Sequence, residues 1–269
     1  DPELDQLFTF EYKSYNYVEH PRAPGLVHSQ EGKRAMVYKL SENGDYYALK
    51  VFKSGFQSPD IAQNTNNLVN LITSNPDLRG LKVADRQVID PAKNKKLTDQ
   101  FPDLKYAVIM PWVNGKLWFE IVSKGLSVSQ SQSISLATSL SSALGRLETK
   151  GYAHCDVSSS NFILSSDFNT VELIDIEEMF APGFKPPVYK PSGTDGYAPS
   201  WISGDKLWGP FADRFATAIL FSEILTWQFD EIRKNKFGES YFSPKEIGTR
   251  CYRFDLMSKY LGDLNSNLA

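Results

Sequence analysis

The chain has 269 residues, 41% of them hydrophobic and 23% charged, with a net charge of −3, so it has length enough for one large core or two lobes. That charge shows no basic excess to make nucleic acid the default partner, and no apolar run approaches the roughly 20 residues that cross a bilayer, so neither nucleic acid nor membrane is expected. Cys155 and Cys251 are the only cysteines, too few for a disulfide framework or a zinc site, and they suit a reducing, cytoplasmic compartment.

Residues 1–22 carry a cluster of aromatics, Phe8, Phe10, Tyr12, Tyr15 and Tyr17, and read as an N-terminal extension, an extra strand or docking arm ahead of the main domain. The acidic, aromatic start is unlike a signal peptide, and the lack of an initiator Met reads as a segment of a longer protein, with further domains or a regulatory partner beyond it. From Gly25 a sheet is expected: Val27, a polar turn over 29–34, a strand over 35–40, a hairpin turn at 42–45 and a strand over 46–52, three antiparallel strands in all. Lys50 stands between Leu49 and Val51 on the last of these, where a lysine usually faces outward. Residues 59–72 form a helix capped by Ser58 or Asp60 and rich in amides, with Gln63, Asn66, Asn67 and Asn70. The stretch 88–105 is polar and loop-like with scattered strand character, and 107–115 is a buried strand running into a turn.

Residues 126–150 are helical, since Ile134, Leu136, Ala137, Leu140, Ala143, Leu144 and Leu147 recur at three- and four-residue intervals and Gly151 stops the run. A polar loop with Asp156 follows, then Asn161 entering one apolar run and Asp175 leaving another. Two short buried strands would hold Asn161 and Asp175 near each other, where their oxygens share a hard cation such as magnesium while Asp156 orients a hydroxyl. A polar hairpin with solvated acids is the other reading of the same residues. Residues 180–191 are proline-rich and irregular, and 213–226 form an apolar helix opened by Asp213.

His154, Asp156 and Asn161 resemble the catalytic loop of the protein kinase superfamily, His-Arg-Asp, four variable residues, Asn, and Asp175 resembles the acid of its Asp-Phe-Gly motif. The resemblance, to a divergent Ser/Thr protein kinase domain, covers about residues 25–265 and implies an α+β, bilobal fold. A small antiparallel-sheet N-lobe would span 23–112, and a mainly helical C-lobe, short or truncated, 113–269. Tyr47-Ala-Leu-Lys50 is similar to the Val-Ala-Ile-Lys strand, which implies Ala48 over the adenine and Lys50 on the α and β phosphates. Aligning Val37 with the valine of the glycine-rich loop puts Gln30, Gly32 and Ala35 on its three glycines, so only Gly32 keeps the type. Met110 falls at the gatekeeper position, the Pro111 carbonyl and Val113 amide would pair with the adenine edge, and Ile163 completes the nucleotide set. Gly193-Thr194, ahead of Tyr197-Ala-Pro199, resembles the substrate-docking end of an activation segment, with Ser200 where a Glu belongs, and Asp213 resembles the acid that braces the catalytic loop.

The resemblance implies transfer of the γ-phosphoryl group of ATP to a Ser or Thr of a protein substrate, with Asp156 and Lys50 catalytic and Asn161 and Asp175 holding Mg2+. Three departures favour the alternative of a pseudokinase, a nucleotide-binding or allosteric module: the altered glycine loop, the absence of a Glu in 59–72 to pair with Lys50, and Asp175-Ile-Glu in place of Asp-Phe-Gly. Cys155 replaces the Arg that reads a phosphorylated activation segment, so no such phosphorylation is expected to switch the protein on. A small-molecule kinase is disfavoured by the docking segment.

Overall fold

The N-terminal aromatics form strands of the main sheet in the computed structural model, which describes residues 2–4, 6–187, 193–198 and 207–268. β1 (Leu7–Phe10) and β2 (Lys13–Tyr17) are joined by Glu11 and Tyr12, both at positive φ (51° and 67°), the two-residue turn that matches strand twist. Period-two alternation drives Phe8, Phe10 and Tyr15 into a core with Leu40, Leu49, Ile89, Ala107 and Ile109, so that of the extra strand or docking arm expected over 1–22 the structure shows strands, paired into the sheet.

The chain divides into two units, residues 1–76 with 81–113 and residues 77–80 with 114–269. In the first, β3 (Glu19–His20) and β4 (Ala23–Val27) pair separately. β5 (Ser29–Glu31), β6 (Ala35–Glu42) and β7 (Asp45–Phe52) follow, then α1 (Pro59–Ser74), β8 (Gln87–Val88), α2 (Lys95–Gln100) and β9 (Val108–Pro111). The antiparallel sheet runs β1-β2-β6-β7-β9-β8, with β5 also on β6. Two sequence expectations are corrected here. Val27 belongs to the small β3–β4 pair, and the stretch expected as a polar turn over 29–34 begins as β5, pairing Gln30 with Val37. Polar side chains are compatible with a strand whose backbone has a partner on only one edge, so their composition misreads as turn. In the stretch over 88–105 the scattered strand character is met by Val88 at the end of β8, whereas the helix α2 was not expected. Ser58 caps α1 as expected, its side chain accepting from the Asp60 amide at 3.2 Å.

The second unit holds β10 (Lys116–Leu117), α3 (Trp118–Lys124), α4 (Gln130–Thr149), β11 (Phe162–Leu164), β12 (Val171–Leu173), α5 (Arg214–Thr226), α6 (Asp230–Lys234) and α7 (Tyr252–Leu268). β10, β11 and β12 form a three-stranded antiparallel sheet. α4 starts four residues after the expected 126 because Ser129 and Gln132 make a reciprocal cap: the Gln132 amide donates to Ser129 Oγ at 3.2 Å, and the Ser129 amide to Gln132 Oε1 at 2.8 Å. Its apolar stripe, Leu136, Leu140, Ala143, Leu144 and Leu147, is buried. Residues 77–80 join this unit through the Leu173 amide, which donates to the Gly80 carbonyl at 2.7 Å. Among the described residues no helix is long and apolar enough to cross a membrane.

Candidate active site

Gly151, at φ 74°, ends α4 and turns the chain into residues 153–161. Ala153 exchanges two backbone hydrogen bonds with Phe180, which closes this loop at its base. His154 is fully buried; its Nδ1 accepts the Asp156 amide (3.3 Å), so Nε2 carries the proton that meets the Ile174 carbonyl (2.8 Å). Its ring therefore ties the loop to the end of β12. Asp213, just ahead of α5, accepts the amides of His154 (2.6 Å) and Cys155 (2.7 Å), one on each oxygen. Burial pushes the Asp213 carboxyl above its usual range, against the opposite pull of His154 and the two amides. Cys155 sits at φ 67°, buried, and burial drives its thiol up to about 12, so it is an inert packing group here.

These braces present Asp156. Its Oδ2 accepts from Asn161 Nδ2 (2.8 Å), and its Oδ1 accepts from the Thr194 hydroxyl (2.8 Å). The same Asn161 nitrogen donates to the Asp156 carbonyl (2.7 Å), so its two N–H groups meet two acceptors and the amide cannot be turned the other way. Asn161 Oδ1 is thereby left as the outward acceptor, with only a long contact of 3.3 Å from Ser160. Asn161 also leads into β11, its carbonyl accepting the Ile174 amide at 2.9 Å. Asp175, the next residue, lies at the same end of the β11–β12 hairpin, exposed and at φ 60°. Among the described residues no group of three or more His, Cys, Asp and Glu is placed to hold a metal ion. Asn161 and Asp175 thus stand at one end of the hairpin, and an amide oxygen and a carboxylate are ligand types that suit magnesium. Ile163, on β11, is half-buried.

Gly193 and Thr194 open a tight turn in which the Tyr197 and Ala198 amides both donate to the Thr194 carbonyl at 3.0 Å. Gly193 has φ 69°, and a Cβ there would run into Ala198 Cβ, so the turn admits no side chain at that point. Residues 188–191, Pro199 and Ser200 lie outside the described residues. A cavity of about 180 Å³ beside Asp156 and Thr194 has a mostly apolar wall of Val157, Ala198, Leu207, Phe211 and Phe215.

Sequence reasoning missed what anchors this turn. Glu223 on α5 is fully buried and accepts three hydrogen bonds, from Trp118 Nε1 (2.7 Å), the Tyr197 hydroxyl (2.9 Å) and the Tyr241 amide (2.8 Å). Burial raises its carboxyl to about 7 in spite of those donors. One buried acid thus joins α3, α5, the Thr194 turn and the segment after α6. The only available signal was an acid inside an apolar helical run.

In the first unit the register sets Val37 opposite Lys50, Lys50 opposite Val108, and Ala48 opposite Met110. Directly paired residues share a face, so Val37, Ala48, Lys50 and Met110 stand together on the side of the sheet away from Leu49. Lys50 is only 8% exposed, with its ammonium 5.6 Å from the Phe52 ring, which overturns the outward-facing alternative. Gly32, in the turn before β6, has no positive φ, so its position does not draw on glycine's freedom. Pro111 and Val113 are half-buried at the end of β9 and just beyond it. Of the α1 amides, Gln63, Asn66 and Asn70 are exposed and Asn67 is half-buried, while the buried polar residue of the helix is Thr65. A buried arginine was also missed: Arg86, 3% exposed, donates from Nε to the Val83 carbonyl (2.6 Å) and from Nη2 to Met110 Sδ (3.4 Å).

No model of a known protein family matches the chain, and no curated protein matches it.

Proposed function

We propose that the chain is a phosphotransferase of the bilobal protein kinase type, moving the γ-phosphoryl group of ATP to a serine or threonine hydroxyl of a protein. The observation that carries this reading is the state of Asp156: one oxygen is fixed by Asn161, and the other accepts an aliphatic hydroxyl, that of Thr194, at 2.8 Å. A carboxylate held in that way suits an acceptor hydroxyl equally well. In the reaction the acceptor oxygen forms a bond to the γ-phosphorus, the bond from that phosphorus to the β–γ bridging oxygen breaks, ADP leaves with the electron pair, and the hydroxyl proton passes to Asp156. Lys50 grips the α and β phosphates, with Ala48, Val37 and Met110 beside the base. Asn161 Oδ1 and Asp175 would hold magnesium, which supplies charge neutralisation on the phosphate oxygens when bound. The apolar cavity beside Thr194 suits a side chain of the acceptor segment.

Nucleotide binding is tested by thermal unfolding with and without ATP and magnesium. A ligand at a hundred times its dissociation constant adds about 2.7 kcal/mol of stability, and Lys50→Met is expected to remove most of that gain. No shift in the wild-type chain would contradict the reading. The pseudokinase alternative rests on Gly32 alone surviving in the glycine loop and on the absence of a Glu from α1, whose buried polar residue is Thr65. A thermal shift without phosphoryl transfer would favour it.

A further inference from the structure

The sheet face that carries Ala48 and Met110 is bordered by two cations. Register places Lys39 on β6 directly opposite Ala48, and Ala48 opposite Met110. The β8–β9 register, continued by one residue, sets Arg86 opposite Met110, where its guanidinium meets the Met110 sulfur at 3.4 Å. A flat base resting on Ala48 and Met110 therefore has a side chain that can only donate at either end of the row.

Lys39 is held in place by rings. Its ammonium lies 4.1 Å from the centroid of Tyr46 and 5.0 Å from that of Trp112, and Trp112 is fixed by its amide, which donates to the Tyr46 carbonyl at 3.0 Å. On the other side of Lys39 the His28 carbonyl accepts its amide at 2.9 Å, and the His28 ring contacts Trp112 at 5.4 Å. Burial, then the charge of Lys39, lowers the basicity of His28, and burial lowers that of Lys39 as well. Ring faces engage an ammonium without consuming its N–H groups as a carboxylate would, which leaves Lys39 able to donate towards a base.

The two purines differ in what they offer such a donor. Guanine presents two adjacent acceptors, O6 and N7, whereas adenine pairs N7 with an amino group that repels a second donor. Resting on the nucleotide-binding reading above, we propose that Lys39 determines base preference in this chain, and that it makes GTP a phosphoryl donor and ligand comparable to ATP. Donor and acceptor matching of this kind discriminates by about tenfold or more.

The experiment is calorimetric titration of the chain with GTP and with ATP, each with magnesium, for the wild type, Lys39→Met and Lys39→Arg. Methionine keeps an unbranched apolar cover on Tyr46 and Trp112 but cannot donate, and arginine keeps both contacts. The wild type is expected to bind the two nucleotides within about tenfold of each other. Lys39→Met should lose about tenfold for GTP and change little for ATP, and Lys39→Arg should restore GTP binding. ATP preferred by well over tenfold in the wild type, or a Lys39→Met loss equal for both nucleotides, overturns the role of Lys39 while leaving nucleotide binding intact. Binding of neither nucleotide overturns both that role and the phosphotransfer reading.

Discussion

Thr194 and Asp156, 38 residues apart, are joined by a hydroxyl-to-carboxylate hydrogen bond of 2.8 Å. Such a bond to a charged acceptor is strong enough to select a rotamer, and here it completes the fixing of Asp156 that Asn161 begins. Thr194→Val keeps the shape and removes the donor. Phosphoryl transfer should fall about tenfold or more in kcat with KM for ATP nearly unchanged, and Thr194→Ser should retain most of the rate. Steady-state kinetics on the three proteins checks this, and an unimpaired valine variant would show that Thr194 does not position the acid.

The buried Glu223 gives stability a pH dependence of definite sign. Its carboxyl titrates near about 7 when folded, against 4.5 for an ordinary glutamate. As pH rises past the lower value the unfolded chain releases this proton first, so stability declines until the folded carboxyl also ionises, and the Glu223 contribution is flat above that. The span corresponds to about 3 kcal/mol. Urea unfolding at about pH 5 and about pH 8 should show the wild type losing up to that amount relative to Glu223→Gln, which has no proton to release. Parallel pH profiles for the two proteins would refute the assignment.

Gly115 precedes β10 at φ 151°, and a Cβ there would meet the Leu164 carbonyl and the Ile163 side chain of β11. The obstacle includes backbone, which cannot rotate away. Gly115→Ala should destabilise the second unit by about 2 kcal/mol or more, through overpacking added to an unfavourable φ. A denaturant midpoint equal to that of the wild type would show that β10 and β11 can separate without loss.

Local chemistry made part of this architecture legible. The triplets Phe162-Ile-Leu164 and Val171-Glu-Leu173, on either side of a polar turn, give the hairpin that carries Asn161 and Asp175, and Ser58 marks the start of α1. The bracing Asp213 was found through resemblance, and its two amide contacts give that position a physical reason. What escaped depends on tertiary pairing. Trp118 and Glu223 are 105 residues apart, and nothing local to either announces the other. Residues 29–31 look like turn because their side chains are polar, while their backbone has β6 beside it. The place of Arg86 beside Met110 follows from the β8–β9 register, which two short strands do not declare in their sequence.

The central claim is that Asp156 takes the proton of an acceptor hydroxyl during phosphoryl transfer from ATP. Incubation with γ-labelled ATP, magnesium and a mixture of protein acceptors, comparing the wild type with Asp156→Ala, tests it most directly. The account predicts label on protein with the wild type and a loss of about a hundredfold or more in the variant, the range over which a positioned general base contributes. Equal labelling by the two proteins would contradict it.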